Sequence, residues 1–412
     1  MRQATISVLH KKDKDPLHCS SYRPVSLLNC DYKILTKILA NRIDNILPKV
    51  INSDQTGFIP GRQSFYNMRR LLNILYAQEQ TKKSEIIVSL DAEKAFDRIE
   101  WQYLFAVLQK FKFGTAFQKW IQILYRSPVA AVRTNNLMSD FFELGRGCRQ
   151  GCSLSPYLFN LAIEPLAIAL RRDNQIAGIT RGGTTHKVSL YADDLLLYIS
   201  NPSTSVPRLL EILDQFGQIS GYKLNYTKSL LFPINNIDSD FSTFPFKVEK
   251  VTFKYLGINI ARTVGELRKR NFDSLLEQTS QDLKKWSTLP TSLAGRINTI
   301  KMAVLPKFLY VFQMIPIFIT KSVFKNLDRL IAEFIWNKSN PRMKKTFLEV
   351  PKEAGGLGLP NFIFYYWAAN ITKLLHWKHV YDNGEGAVWA QMELISNPMP
   401  LLTSPLTQSQ TQ

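Results

Sequence analysis

Cysteine is scarce in this chain, with four in 412 residues: Cys19, Cys30, Cys148 and Cys152. They fall at no zinc-ligand spacing and offer no disulfide framework, which argues against a small secreted scaffold and points to a reducing, intracellular compartment. Cys148 and Cys152 have no cysteine or histidine companions nearby, so small packed side chains are expected there rather than a metal pair. Histidine is almost as sparse, at five, and the isolated His376 and His379 are expected to be structural. Long apolar runs are missing as well. The most apolar stretch, 305–320, is broken by Pro306, Lys307, Gln313 and Pro316 and is too short to span a bilayer. The N-terminal segment carries Arg2, Lys11, Lys12 and Asp13 and no apolar signal core, so nothing marks the chain for secretion.

Acidic residues are also in deficit. Thirty-three Asp and Glu face 52 Lys and Arg, a formal charge of +19. An excess of that size is the electrostatic footprint of a protein whose partner is a polyanion. The basic residues are spread along the chain with no basic amphipathic segment, which favours nucleic acid over a membrane surface. At 45% hydrophobic the chain can bury large cores, and its length suggests two or three domains or subdomains.

What is present is a set of carboxylates in a telling arrangement. Val188-Ser189-Leu190 and Leu195-Leu196-Leu197-Tyr198 read as two strands of a β-hairpin whose tip is Tyr191-Ala192-Asp193-Asp194. About a hundred residues earlier the apolar run Ile86-Ile87-Val88-Ser89-Leu90 reads as a buried strand that ends on Asp91. Carboxylates held at strand ends suit magnesium, which takes hard oxygen ligands and is usually bound by one or two carboxylates together with substrate phosphates. A pair of such ions suits in-line phosphoryl transfer. The competing reading is an ordinary solvated turn, since Asp is favoured in any hairpin.

Around this trio the periodicity predicts a helix over 32–47 stopped by Pro48, an irregular segment over 54–62, and helices over 64–80 and 101–111. The glycines of 54–62 suggest a backbone that approaches a ligand closely. Gly147-Cys148-Arg149-Gln150-Gly151 leads into a helix with Ser155 as N-cap and Pro156 in its first turn, ending near Leu170; its free N–H groups suit phosphate or ribose oxygens, with a plain capped loop as the alternative. A helix over 206–219, a strand at Lys223-Leu224 and a strand or hairpin over 253–258 follow. Beyond about Thr263 helical periods dominate, with basic residues interleaved at Lys284, Lys285, Arg296, Lys301 and Lys307, suited to a duplex backbone or to a solvated face. The Ser/Thr/Gln-rich tail, 401–412, is expected to be disordered.

In this order the pieces resemble the reverse transcriptase domain of non-LTR retrotransposons of the long interspersed element class. The resemblance is carried by Tyr22-Arg23-Pro24-Val25-Ser26-Leu27, Asp54-Gln55-Thr56-Gly57-Phe58 with Pro60-Gly61-Arg62, Ser89 to Asp97, Arg149-Gln150-Gly151 with Leu154-Ser155-Pro156, Tyr191 to Asp194, Gly221 to Asn225 with Lys228-Ser229, and Tyr255-Leu256-Gly257. Later segments at 305–307, 334–336 and 355–357 extend it over roughly residues 5 to 370.

The resemblance implies an α+β right-hand polymerase: fingers over 1–85, a palm over 86–262, a helical thumb over 263–350 and a connection and tail over 351–412. It implies RNA-directed DNA synthesis, with two Mg2+ ions (or Mn2+) held by Asp91 and Asp193, and Asp194 as a supporting ligand. Arg23 and Lys11 would clamp phosphates, Gln150 and Gly151 would line the nucleotide pocket, and Lys228 would act near the leaving group as charge partner or proton donor. Tyr255 and Gly257 would support the primer terminus. Phe96, five residues after the first aspartate, would face the incoming sugar, where its ring clashes with a 2′-hydroxyl and favours deoxynucleotides over ribonucleotides; a plain core aromatic is the alternative. The implied partners are an RNA template, a DNA primer, dNTPs and the RNA–DNA hybrid, with no membrane, in the nucleus or cytoplasm.

Departures from the family pattern are few. Ser153 replaces a common proline, and His10, Lys12 and Asp13 stand where proline or glycine is frequent. Neither the upstream endonuclease nor the downstream cysteine/histidine-rich region of full-length elements is visible, so a fragment or degraded element is expected. Competing functional readings are an inert RNA-binding remnant of the polymerase fold and, more remotely, an RNA-dependent RNA polymerase.

Overall fold

A computed structural model describes residues 3–12, 14–77, 83–237, 239–337, 339–384 and 386–396. The tail expected to be disordered, 401–412, and the end of the helix predicted over 64–80 lie outside them. Among the described residues no helix is long and apolar enough to cross a membrane.

The chain folds into two compact units. The first comprises Met1–Gln63, Gln80–Thr180 and Thr185–Lys250; the second Ser64–Glu79, Arg181–Thr184 and Val251–Gln412. These units cut across the four expected segments, since 64–79 falls in the stretch assigned to the fingers and 251–262 in that assigned to the palm.

At the centre of the first unit is a five-stranded sheet in the order Lys247–Val248, Leu230–Pro233, Glu85–Leu90, Asp194–Ser200, Val188–Tyr191. Its pairings are antiparallel except the short parallel one between Leu230–Pro233 and Lys247–Val248. Ile86, Ile87 and Val88 are β-branched and fully buried, as a strand flanked on both edges requires. Alternate residues Ile86, Val88 and Leu90, with Leu195, Leu197 and Ile199 across the pairing, join one core with the helices Trp101–Lys110, Ser155–Arg172 and Pro202–Ser220. Each such side chain contributes about 1.5–3 kcal/mol by leaving water. This core fixes the register, because a one-residue slip would turn every one of them to the opposite face.

A second sheet in the same unit places Gln3–His10 between Tyr22–Leu28, antiparallel, and Val129–Thr134, parallel; the short strands Leu137–Met138 and Phe142–Glu143 pair with the latter. Cys148 and Cys152 are buried in the core, as expected, and burial pushes the Cys148 thiol up to about 12.

The described residues of the second unit are mostly helical, with a hairpin formed by Thr252–Tyr255 and Ile258–Ala261. Phe272, Phe308, Phe312, Phe324, Phe362 and Tyr366 pack ring against ring at its centre. Arg69, on the helix Ser64–Tyr76, makes a bidentate pair with Glu393 at 2.8 and 2.7 Å, its guanidinium lying over the rings of Trp377 and Trp389. Lys373 is buried nearby and donates to the Phe312 carbonyl at 2.9 Å. His376 packs among Phe65, Tyr66 and Trp389, and His379 meets Asn383, structural surroundings for both.

Three local expectations are corrected. The first helix, Cys30–Ile43, ends before Pro48, which instead opens the short helix Leu47–Val50, where its missing N–H costs nothing. Leu154, not Ser155, occupies the N-cap of Ser155–Arg172. Lys223-Leu224 forms only an isolated bridge, Leu224 to Ala92, and the strand begins at Leu230.

Candidate active site

The hairpin tip is a two-residue turn. Tyr191 pairs with Asp194, leaving Ala192 and Asp193 between them, and Ala192 takes a left-handed φ of 55°. Leu90 pairs with Leu195, so Asp91 leaves its strand beside Asp194. The Asp91 backbone is tied down on its other side: its N–H donates to Ser229 Oγ at 3.1 Å and its carbonyl accepts from Asn225 N at 2.8 Å. Lys228 Nζ stands 3.6 Å from Asp91 Oδ2, which joins two of the predicted residues directly.

Residues 54–57 run alongside the hairpin. Leu190 N donates to the Asp54 carbonyl and Thr56 N to the Leu190 carbonyl, both at 2.9 Å. The buried Gln55 side chain reaches the turn: Oε1 accepts from the N–H of Ala192 and of Gly57, both at 2.9 Å, and Nε2 donates to the Ala192 carbonyl at 3.3 Å. Gly57 is required here, since a Cβ would lie 2.4 Å from Ala192 N. Arg62 braces the segment from behind by donating to the carbonyls of Pro48, Ile51, Asn52 and Gln55. The close backbone approach expected of these glycines is therefore made to the aspartate turn.

Burial, reinforced by the charge of Asp91, raises Asp193 above the usual carboxylate range. Burial and then the charges of Asp193 and Asp91 push Asp194 up to about 6. Two neighbouring anions disfavour a third, the electrostatic situation a cation relieves. The Tyr222 hydroxyl is buried without a hydrogen-bond partner among the described residues, and its ionisation is opposed by burial and by the charges of Asp193 and Asp91. Among the described residues no three His, Cys, Asp or Glu side chains already stand at cation-coordinating spacing. The donor set nonetheless fits magnesium: hard carboxylate oxygens in mutual repulsion, few enough to leave positions for water and phosphate.

The other candidates in this unit have their own contacts. Phe96 is half-buried and stacks on the fully buried Phe159, ring centroids 4.3 Å apart. Gln150 Nε2 donates to Asp97 Oδ1 at 3.1 Å, and burial raises the Asp97 carboxyl. Both line a cleft of about 300 Å³ with Ala4, Pro24, Ser26 and Trp101. Gly151, at φ 80°, lies against the strand that carries Arg23; a Cβ there would be 2.7 Å from the Ser26 carbonyl. Arg23 is exposed opposite Leu9. Lys11 Nζ donates to the Ser20 carbonyl at 2.7 Å, across the end of the same strand pair.

Tyr255 and Gly257 belong to the other unit. Tyr255 is buried at the end of its strand, and Leu256 and Gly257 form the turn at φ 44° and 76°. The Tyr310 hydroxyl donates to the Leu256 carbonyl, fixing that turn to the helix Leu305–Met314.

Residues 9–260 match the family described as reverse transcriptase (RNA-dependent DNA polymerase). The chain belongs to the reverse transcriptase family. It is 32% identical over 342 residues, 81% of its length, to the transposon TX1 uncharacterized 149 kDa protein of Xenopus laevis, and 25% identical over 394 residues, 90% of its length, to the retrovirus-related Pol polyprotein from the type-2 retrotransposable element R2DM of Drosophila melanogaster. Such relatives are proteins of non-LTR retrotransposons. This reverse transcriptase chain spans 26% and 36% of those two proteins' own lengths. Its fold is that of an α+β right-hand polymerase. A solved telomerase from Candida Tropicalis, in complex with a fragment of telomeric RNA, aligns with a TM-score of 0.50 at 11% identity, over 96% of this chain and 64% of that one.

The motifs point to Asp91, Asp193 and Asp194 as candidates but assign no role to Gln55, Asp97 or Ser229. All three stand within quoted motifs, yet what each touches lies far away in the sequence: Gln55 and Ala192 are 137 residues apart.

Proposed function

We propose that this chain is an RNA-directed DNA polymerase that adds deoxynucleotides to a primer 3′-hydroxyl on an RNA template. The observation that carries the reading is the convergence of Asp91, Asp193 and Asp194 at adjoining strand ends, with Asp193 raised by burial and Asp91, and Asp194 by burial, Asp193 and Asp91. Asp91 and Asp193 would hold the divalent ions, with Asp194 beside them. When bound, the ions would lower the pKa of the 3′-hydroxyl and neutralise charge on the triphosphate and the departing pyrophosphate.

The remaining roles belong to side chains. Lys228, beside Asp91, offsets negative charge while the carboxylates wait for cation and supplies a positive group near the leaving phosphate. Phe96, held flat against Phe159, presents a fixed ring edge to the sugar rather than a mobile side chain. Gln150 and Gly151 line the nucleotide pocket, Gln150 being steadied by Asp97. Arg23 and Lys11 attract phosphate from the exposed strand pair. Tyr255 and Gly257 support the primer end. The net charge of +19 suits the primer–template hybrid as partner.

Primer extension on an RNA template with magnesium and dNTPs tests this directly, alongside a variant carrying Asp193→Ala and Asp194→Ala. Extension by the parent and none by the variant is expected. No extension by either, from folded protein that binds primer–template, leaves the inert remnant as the reading.

A further inference from the structure

We propose, resting on the polymerase reading above, that Gln55 is a positioning residue: its side-chain amide holds the Ala192 peptide and thereby sets the two aspartates that follow it. Ala192 carries a Cβ in left-handed backbone, a strained conformation for an L side chain that persists only where its surroundings impose it. The Gln55 amide imposes it by bonding both the N–H and the carbonyl of that one residue, as a neighbouring peptide would in a sheet.

Gln55 is itself immobile. It is 1% exposed, Gly57 N also donates to Oε1, and its own carbonyl accepts from Arg62. The Gly57 carbonyl in turn accepts from Asn160 Nδ2 at 2.7 Å, so the helix Ser155–Arg172 anchors the segment. A line of direct contacts therefore runs from that helix through Gly57 and Gln55 to Ala192 and the metal-binding carboxylates. A misplacement of about 1 Å at reacting groups costs on the order of a hundredfold in rate. Gln55 touches no reacting atom, so its loss should appear in turnover and metal binding while nucleotide and duplex affinity are kept.

The experiment compares the full chain with Gln55→Leu, Gln55→Asn and Gln55→Glu. Glutamate keeps an oxygen at the right reach for both N–H groups, whereas asparagine keeps the amide but is one methylene short. Single-nucleotide extension gives kcat and the dNTP KM, primer–template titration gives Kd, and Mn2+ binding is followed by electron paramagnetic resonance of the free ion.

Leu and Asn variants are expected to lose on the order of a hundredfold in kcat, with dNTP KM and primer–template Kd nearly unchanged, and to bind Mn2+ several-fold more weakly. The Glu variant keeps the acceptor for both N–H groups but loses the donor to the Ala192 carbonyl, so its turnover is expected to fall between those of the parent and the Leu and Asn variants. Unaltered Mn2+ affinity in Leu and Asn, a loss confined to KM, or an Asn variant as active as Glu would overturn the assignment. If the Leu variant misfolds, the Asn and Glu pair decides. If the parent does not extend a primer, the polymerase reading fails by itself, while the order of Mn2+ affinities still decides the role of Gln55.

Discussion

Asp194 shows how much one position reports. With its carboxyl pushed up to about 6, it is protonated in moderately acid solution, where a free carboxylate would be charged. Extension at low magnesium should therefore fall as pH drops through about 6, and raising magnesium should move that acid limb to lower pH, because cation and proton compete for the same oxygens. A rate that stays flat to pH 5 at low magnesium would contradict this. The sign for stability is opposite: a raised carboxyl stabilises the fold at low pH, and the contribution is lost as pH rises through about 6 in metal-free protein. At Phe96, replacement by valine should raise ribonucleotide use relative to deoxynucleotide use by roughly tenfold or more, the scale of a small apolar change in a pocket. The kcat/KM ratio for paired nucleotides measures it; an unchanged ratio makes Phe96 a core aromatic stacked on Phe159 and no more.

The helix Phe362–Asn383 carries its own test. Burial, then the positive charge of Arg69, lowers the Lys373 amine to about 7, against an upward pull from Glu393. Between about 7 and 10 the unfolded chain binds a proton that the folded one does not, so stability should rise with pH across that window, by at most about 1.4 kcal/mol per unit. Urea unfolding monitored through the tryptophans should show the rise, and Lys373→Met should flatten it; an equal slope in the variant would place its source elsewhere. Elements of this kind were unevenly legible. The strand over 86–90 and the aspartate hairpin were readable because a run of β-branched apolar residues and a turn leave a local mark. Pro48 was misread as a stop because proline is equally at home in a helix's first turn, and only the break after Ile43 distinguishes the two. Lys223-Leu224 looked like a strand because its apolar residue is buried, although it forms only a bridge to Ala92. That Asp91, Asp193 and Asp194 come together at adjoining strand ends was legible from strand and turn signals, whereas the contact of Gln55 was not, since nothing local distinguishes an amide that reaches 137 residues ahead from one that faces solvent.

For the molecule as a whole, the charge of +19 sets the expected response to salt. Each phosphate neutralised adds about 0.9 to the steepness of affinity against salt on a double-logarithmic plot, so binding of an RNA–DNA duplex should weaken on the order of a hundredfold or more between 50 and 200 mM salt. Fluorescence anisotropy measures it, and a nearly flat plot would mean that the basic residues do not face the duplex. The parallel pairing of Gln3–His10 with Val129–Thr134 has a consequence for biosynthesis. At about 5–20 residues per second the ribosome needs on the order of ten seconds to deliver the second strand after the first. For that interval the growing chain displays an unclaimed hydrogen-bonding edge, which other nascent chains can pair with. Yield in a cell should thus depend on how quickly translation closes that gap, and on chaperones that cover the edge until it does.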